Sequence, residues 1–180
     1  MLYISLLRAI NVGGNNKIKM DTLKEVYQSL GLKNVKSYLQ TGNVVFEADE
    51  EKILQLEEKI EIEIEKRFGF RPKVIIRTLE ELKEVIAKTP FNDGKERLPN
   101  RLLVMFLAEQ PTNEAKAQLT QINTTLEELH LIGKELYLYY PESVANSKLN
   151  TNIIEKKLKL YGTARNWNTV TKLVEIGQSY

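Results

Sequence analysis

Two short stretches, residues 3–7 (Tyr-Ile-Ser-Leu-Leu) and 102–107 (Leu-Leu-Val-Met-Phe-Leu), constrain this chain more than any others. Each has the length of a strand and is apolar on both faces, so each demands cover on both sides. Each also opens a similar order of elements. After the first comes a polar loop over 11–19, then a helix that Asp21 is placed to cap. Its Leu23, Val26, Tyr27 and Leu30 form one apolar stripe, and Gly31 stops it. Residues 35–40 and 44–47 read as strands joined through Thr41-Gly42-Asn43.

Residues 50–68 carry two competing periods. Ile60, Ile62 and Ile64 alternate as in a strand, whereas Ile53, Leu56, Ile60, Ile64 and Phe68 follow helical spacing. Length, the acidic start and the wealth of Glu and Lys favour helix. A strand over 73–77 completes β-α-β-β-α-β, the order of a ferredoxin-like unit. Thr78-Leu-Glu-Glu81 is a capping box that opens a helix ended by Pro90, and a polar loop follows over 92–100.

The pattern then restarts. The strand at 102–107 leads to a helix over 112–126, strands at 129–132 and 135–140 around Gly133-Lys134, and a helix over 147–161. A short segment and a last helix from about Asn168 complete the chain. The expected fold is α+β: two ferredoxin-like subdomains packed as one compact unit, with an extra C-terminal helix. The expected division is 1–78, a helical connector and loop over 79–100, and a diverged second subdomain over 101–180. No residue-level repeat is visible. Homodimerisation is the rival way to cover the apolar strands, so monomer and homodimer both stay open.

Composition narrows the chemistry. The chain has no cysteine, which removes a disulfide framework and a thiol nucleophile and suits a reducing, cytoplasmic setting. The apolar N-terminus stops at Arg8, too short to span a membrane and unlike a signal peptide. Net charge is only +2, but it is unevenly spread. Residues 1–46 carry six basic groups against two acids, 47–66 nine acids against three lysines, and 147–172 six basic groups against Glu155. Solvated helix faces explain this, as does an anion site where the basic segments meet.

Three segments concentrate the amides and contain nine of the fourteen asparagines. In the first, Arg8, Asn11, Gly13, Gly14, Asn15 and Lys17 follow a strand, and the paired glycines let backbone N–H groups approach an anion. It has neither the phosphate-loop nor the dinucleotide spacing, and a tight turn is the plain alternative. The second, Gln40, Gly42 and Asn43, reads alone as a hairpin turn. The third holds Ser147, Lys148 and Asn152, expected in the first turns of a helix whose free N–H groups attract anions, and then Arg165, Asn166 and Trp167. Asn166 or Asn168 also suits the cap of the last helix, and Trp167 suits either core or stacking on a ligand.

These segments contain no Asp or Glu, hence no carboxylate pair and no carboxylate metal site. No metal site and no cofactor are expected. His130, the one histidine, lies in an apolar strand and reads as structural, and Ser147-Lys148 lacks the S-x-x-K spacing.

Four separated stretches carry a likeness. Leu6-Leu-Arg-Ala-Ile-Asn-Val-Gly-Gly14, Tyr38-Leu-Gln-Thr-Gly-Asn-Val-Val45, Asn146-Ser-Lys-Leu149 and Thr163-Ala-Arg-Asn-Trp-Asn-Thr-Val170 resemble the signature of the family called domain of unknown function 1697. Where many members have glycine after the arginine, this chain has Ala9. The resemblance implies two ferredoxin-like subdomains and implies no activity. The expected function is therefore binding, with turnover left open, of a small anionic or nucleotide-like molecule at a basic, Asn- and Gly-rich cleft. An RNA-binding module and a protein-interaction scaffold are the alternatives. RNA is disfavoured because residues 43–47 lack the aromatic pattern of an RNA-recognition strand, and no membrane partner is expected.

Overall fold

The computed structural model describes residues 1–49, 52–122, 124 and 126–180. Its elements run β1 (Leu2–Leu7), α1 (Met20–Ser29), β2 (Lys33–Tyr38), β3 (Asn43–Glu47), α2 (Ile53–Phe68), β4 (Val74–Thr78) and α3 (Leu79–Ala87). Then follow β5 (Leu102–Leu107), α4 (Asn113–Leu119), β6 (Glu128–Ile132), β7 (Glu135–Tyr139), α5 (Thr151–Leu158), β8 (Gly162–Asn166) and α6 (Trp167–Gln178). The strands form two antiparallel sheets of the same order, β2-β3-β1-β4 and β6-β7-β5-β8. This is an α+β fold made of two ferredoxin-like sheets.

Two compact units result: Met1–Lys83 with Lys172–Tyr180, and Glu84–Thr171. In the first, Tyr3 and Leu7 of β1 pack with Leu23, Val26 and Tyr27 of α1 and Leu56, Ile60 and Ile64 of α2. In the second, Met105 and Leu107 of β5 pack with Leu119, Ile154 and Leu158. The alternate residues Ile4, Leu6, Val104 and Phe106 are buried as well, as strands apolar on both faces require.

Local chemistry explains most boundaries. The helical period wins in α2, which buries Leu56, Ile60 and Ile64 and ends at Gly69, whose φ is 78°. The capping box is present: the Thr78 hydroxyl accepts from Glu81 N at 3.1 Å, and the Glu81 carboxylate accepts from Thr78 N at 2.8 Å.

Four expectations are corrected. Lys19, not Asp21, occupies the cap of α1, and Asp21 lies in its first turn, paired with Lys24 at 2.8 Å. The helix expected over 112–126 stops at Leu119, where Thr120 turns its hydroxyl back onto the Ala117 carbonyl at 2.7 Å; Asn123 and Thr125 lie outside the described residues, as do Glu50 and Glu51 before α2. The helix expected over 147–161 begins at Thr151, because the Asn150 side chain accepts from Ile153 N and caps it. The short segment before the last helix is the strand β8.

With β8 in place, a residue-level repeat emerges. Leu7 N donates to Gly42 O as Leu107 N does to Lys134 O, and Arg8 N to Lys73 O as Ala108 N does to Tyr161 O. Arg77 opposes Ile4, and Arg165 opposes Val104. Both arginines are buried, and each turns its Nη1 onto the preceding carbonyl, at 3.0 and 2.9 Å.

Candidate functional site

The two sheets match, so the differences between units stand out. The β1–α1 connection spans residues 8–19 in the first unit, whereas β5–α4 in the second needs only 108–112. Conversely β7–α5 spans residues 140–150, whereas β3–α2 spans 48–52. Each unit is elaborated at one place, and each place holds a segment singled out by its asparagines.

In the first unit, residues 8–17 fold on themselves. Val12 bridges Asn15 across Gly13 and Gly14, whose φ values of 59° and 79° make the turn. Asn11 is the clamp: its side chain accepts from Ile18 N at 2.8 Å and donates to Ile18 O and Gln40 O at 2.9 and 2.8 Å. The last bond joins the first segment to the second. Asn16 donates to Ala9 O, and buried Asn43 to Tyr38 O and the Thr41 hydroxyl. Gly13, Gly14, Asn15, Lys17 and Gln40 are exposed, and Arg8 is half-buried. Among the described residues, four of the six non-glycine residues with positive φ (Ala9, Asn11, Asn16 and Leu39) belong to this loop and the neighbouring turn. Such backbone is stored where surrounding structure over-determines it.

In the second unit, residues 140–143 and 146–149 wall a cavity of about 300 Å³ together with Leu126 and Glu127. A tight turn builds the wall: Asn146 N and Ser147 N donate to Ser143 O and Val144 O, both at 3.3 Å. The Ser147 hydroxyl accepts from Leu149 N at 3.0 Å and pairs with the Glu127 carboxylate. Tyr140 donates to Leu149 O at 3.1 Å, and burial, with the nearby Glu127 charge, pushes its pKa up to about 12. The phenol therefore stays a donor at neutral pH. Lys148, Asn146 and Glu142 are exposed lining groups.

The rest of the third segment serves the backbone. The Asn166 side chain accepts from Asn168 N at 2.8 Å, capping α6, and donates to Asn100 O at 3.1 Å. Arg165 is buried with its Nη1 on the Thr163 hydroxyl at 2.7 Å, and burial pushes its pKa down to about 10, still charged at neutral pH. Trp167 is half-buried and Asn152 exposed.

Sequence reading missed Glu127 and Glu142, because the fold brings them to the cavity from outside the Asn-rich residues. It also missed a clamp in the loop before β5. Arg97, its side chain 4% exposed, grips Asp93 at 2.6 Å and Glu128 at 2.8 Å, and lies over the Phe91 ring. His130 lies on β6 with its ring edge-on to Phe91. Among the described residues, no group of three or more metal-ligating side chains could hold a metal ion, and no helix is long and apolar enough to cross a membrane.

Sheet order and paired elaborations define an α+β protein of two ferredoxin-like units with polar loops on one core pattern. The family described as "Protein of unknown function (DUF1697)" matches residues 1–137, and the chain belongs to it. No curated protein matches the chain. Among solved structures, the conserved bacterial protein SP0830 from Streptococcus pneumoniae is similar, with a TM-score of 0.77 and 24% identity over 98% of each chain. That likeness speaks for the fold.

Proposed function

We propose that the protein binds a small amphoteric molecule in the cavity walled by Asn146, Ser147 and Lys148. The observation that carries this is that Lys148 and two carboxylates, Glu127 and Glu142, line the same space of about 300 Å³. That volume is at the lower end for a small-molecule site. Lys148 supplies the charge that would read an anionic group. The two carboxylates repel a ligand that is anionic throughout and attract an ammonium or guanidinium. Asn146 and Ser143 add neutral hydrogen-bonding groups at the rim. Binding alone accounts for these features, and the cysteine-free composition suits a cytoplasmic setting.

Amide chemical shifts test the reading, with L-lysine, inorganic phosphate and adenosine monophosphate as probes. L-Lysine should move the amides of Glu127 and residues 142–149, and Lys148→Ala and Glu142→Gln should each weaken that binding at least tenfold. An absence of L-lysine shifts at millimolar concentration would overturn it.

The pre-formed hairpin of residues 8–17 favours a second reading, a nucleotide-like or other anion held by the Gly13-Gly14 backbone with Arg8 and Lys17. Shifts in residues 8–17 with adenosine monophosphate or phosphate, lost in Lys17→Ala, would identify it. An RNA module is less well supported, since Phe46, the one aromatic of β3, is fully buried.

A further inference from the structure

The outermost strands of a sheet leave N–H and C=O groups without a neighbouring strand, and such edges pair with other chains unless something blunts them. Three of the four edges here are blunted. On β4, Val74 N and Ile76 N donate to Glu61 and Glu57 of α2 at 3.1 and 2.7 Å. On β8, Gly162 N donates to Glu155 of α5 at 3.0 Å. The β2 edge shifts register between Lys33 and Lys36, carries Asn34 at φ 51°, and receives the Tyr180 hydroxyl on the Asn34 carbonyl at 2.6 Å.

The β6 edge has no such device among the described residues. Its register runs unbroken from Glu128↔Tyr139 to Ile132↔Glu135, without positive φ or proline. The two-residue turn Gly133-Lys134 makes Ile132 and Glu135 a hydrogen-bonded pair, and alternation does the same for His130 with Tyr137. Leu129 and Leu131 therefore direct their N–H and C=O groups outward. Their side chains line a groove of about 400 Å³ with Leu119 and Ile122.

We propose that β6 pairs antiparallel with β6 of a second copy of this chain, about a two-fold axis at His130, making one eight-stranded sheet. The occupant follows from self-complementarity. Only a register centred on His130 lets both outward residues bond, Leu129 with the partner's Leu131 and the reverse, giving four backbone hydrogen bonds. The same register sets leucine against leucine beside the groove. It also brings the acidic end of the strand, at Glu128, near the turn that carries the partner's Lys134, so each end of the seam sets groups of opposite charge near one another. A two-fold contact of one patch with itself closes and leaves no further edge to grow.

The chain has no cysteine, so His130→Cys carries a single thiol. In a non-hydrogen-bonded antiparallel pair the Cα atoms lie about 4.5 Å apart, within the roughly 4.4–6.8 Å range of disulfides. Mild oxidation should link His130→Cys into covalent dimers at least ten times faster than Ile132→Cys, whose thiols the register holds far apart. Sedimentation should give the mass of two chains for the wild type at about 100 μM and of one chain for Leu131→Lys, with an unchanged circular-dichroism melt. A single-chain mass for the wild type, a dimer that survives Leu131→Lys, or equal linking of the two cysteine variants would each overturn the proposal. So would capture of a foreign apolar strand by a wild type that stays single. If Leu131→Lys fails to fold, the two cysteine variants decide.

Discussion

Ala9 and Leu39 hold left-handed backbone, with φ of 56° and 59°, where a side chain beyond glycine crowds the following carbonyl. Ala9 is the departure from the family signature noted in the sequence, and it lands on a backbone that glycine suits better. Gly42 is the reverse case. Its φ is 80°, and a Cβ there would lie 2.7 Å from Ile10 Cδ1 and 2.8 Å from Leu7 Cβ, both buried. Both sites favour glycine over alanine, so exchanging the two residue types should stabilise at one position and destabilise at the other. Ala9→Gly should stabilise by about 0.5–1 kcal/mol, raising Tm by roughly 1–4 °C. Gly42→Ala should destabilise by about 2–3 kcal/mol, since it adds overpacking to a strained φ. Chemical denaturation of both variants checks this; a destabilised Ala9→Gly would mean that the methyl group makes contacts worth more than the strain.

At the scale of elements, what the sequence revealed depended on whether the governing interaction was local. The capping box of α3 and the Gly31 stop of α1 act within one turn, and both were legible. So was the turn at Gly133-Lys134. The strand β8 was not, because Gly-Thr-Ala-Arg-Asn shows no apolar alternation and Arg165 is buried through partners that the sequence does not display. The candidate cavity divides in the same way. Asn146, Ser147 and Lys148 announce themselves as a cluster, but Glu127 joins them only through the fold. The Arg97 clamp shows the limit most sharply, since it ties Asp93 to Glu128, 31 residues further along the chain than Arg97 itself. Hydrogen bonds from Arg97 hold both carboxyl groups below their ordinary range. Groups lowered in the folded state stabilise it fully above their unfolded values, near pH 4, and that contribution fades as pH falls through the folded values. Arg97→Leu should therefore lower Tm on the order of 5 °C at pH 7, and the gap from wild type should narrow below about pH 4. A gap constant from pH 7 to pH 2 would show that Arg97 acts by packing against Phe91 and Tyr139 instead of through its carboxylates.

Across the whole molecule, chain order and unit membership diverge, because the last nine residues, Lys172–Tyr180, belong to the unit that begins at Met1. Gly177 shows how closely they fit: a Cβ there would approach Leu79 Cδ1 to 2.6 Å and Leu2 Cδ2 to 3.2 Å. Tyr180 closes the other end of the same segment, its hydroxyl donating to Asn34 O at 2.6 Å and reaching Val45 O at 3.1 Å while Lys36 lies over its ring at 4.0 Å. The segment thus lies against apolar residues of β1 and α3 and adds the Tyr180 hydroxyl to the devices that blunt the β2 edge. Ending the chain at Thr171 should expose Leu2 and Leu79 and leave β2 ready to pair with other chains. The expected result is faster amide exchange in β2 and β3 than in full-length protein, with concentration-dependent association that the full chain does not show through this edge. Tyr180→Phe separates the two tasks, since it keeps the ring over Lys36 and removes only the hydroxyl; it should speed exchange at β2 while leaving Leu2 covered. Unchanged exchange in β2 after truncation would mean that its shifted register and the lysines along it blunt the edge without help from the C-terminus.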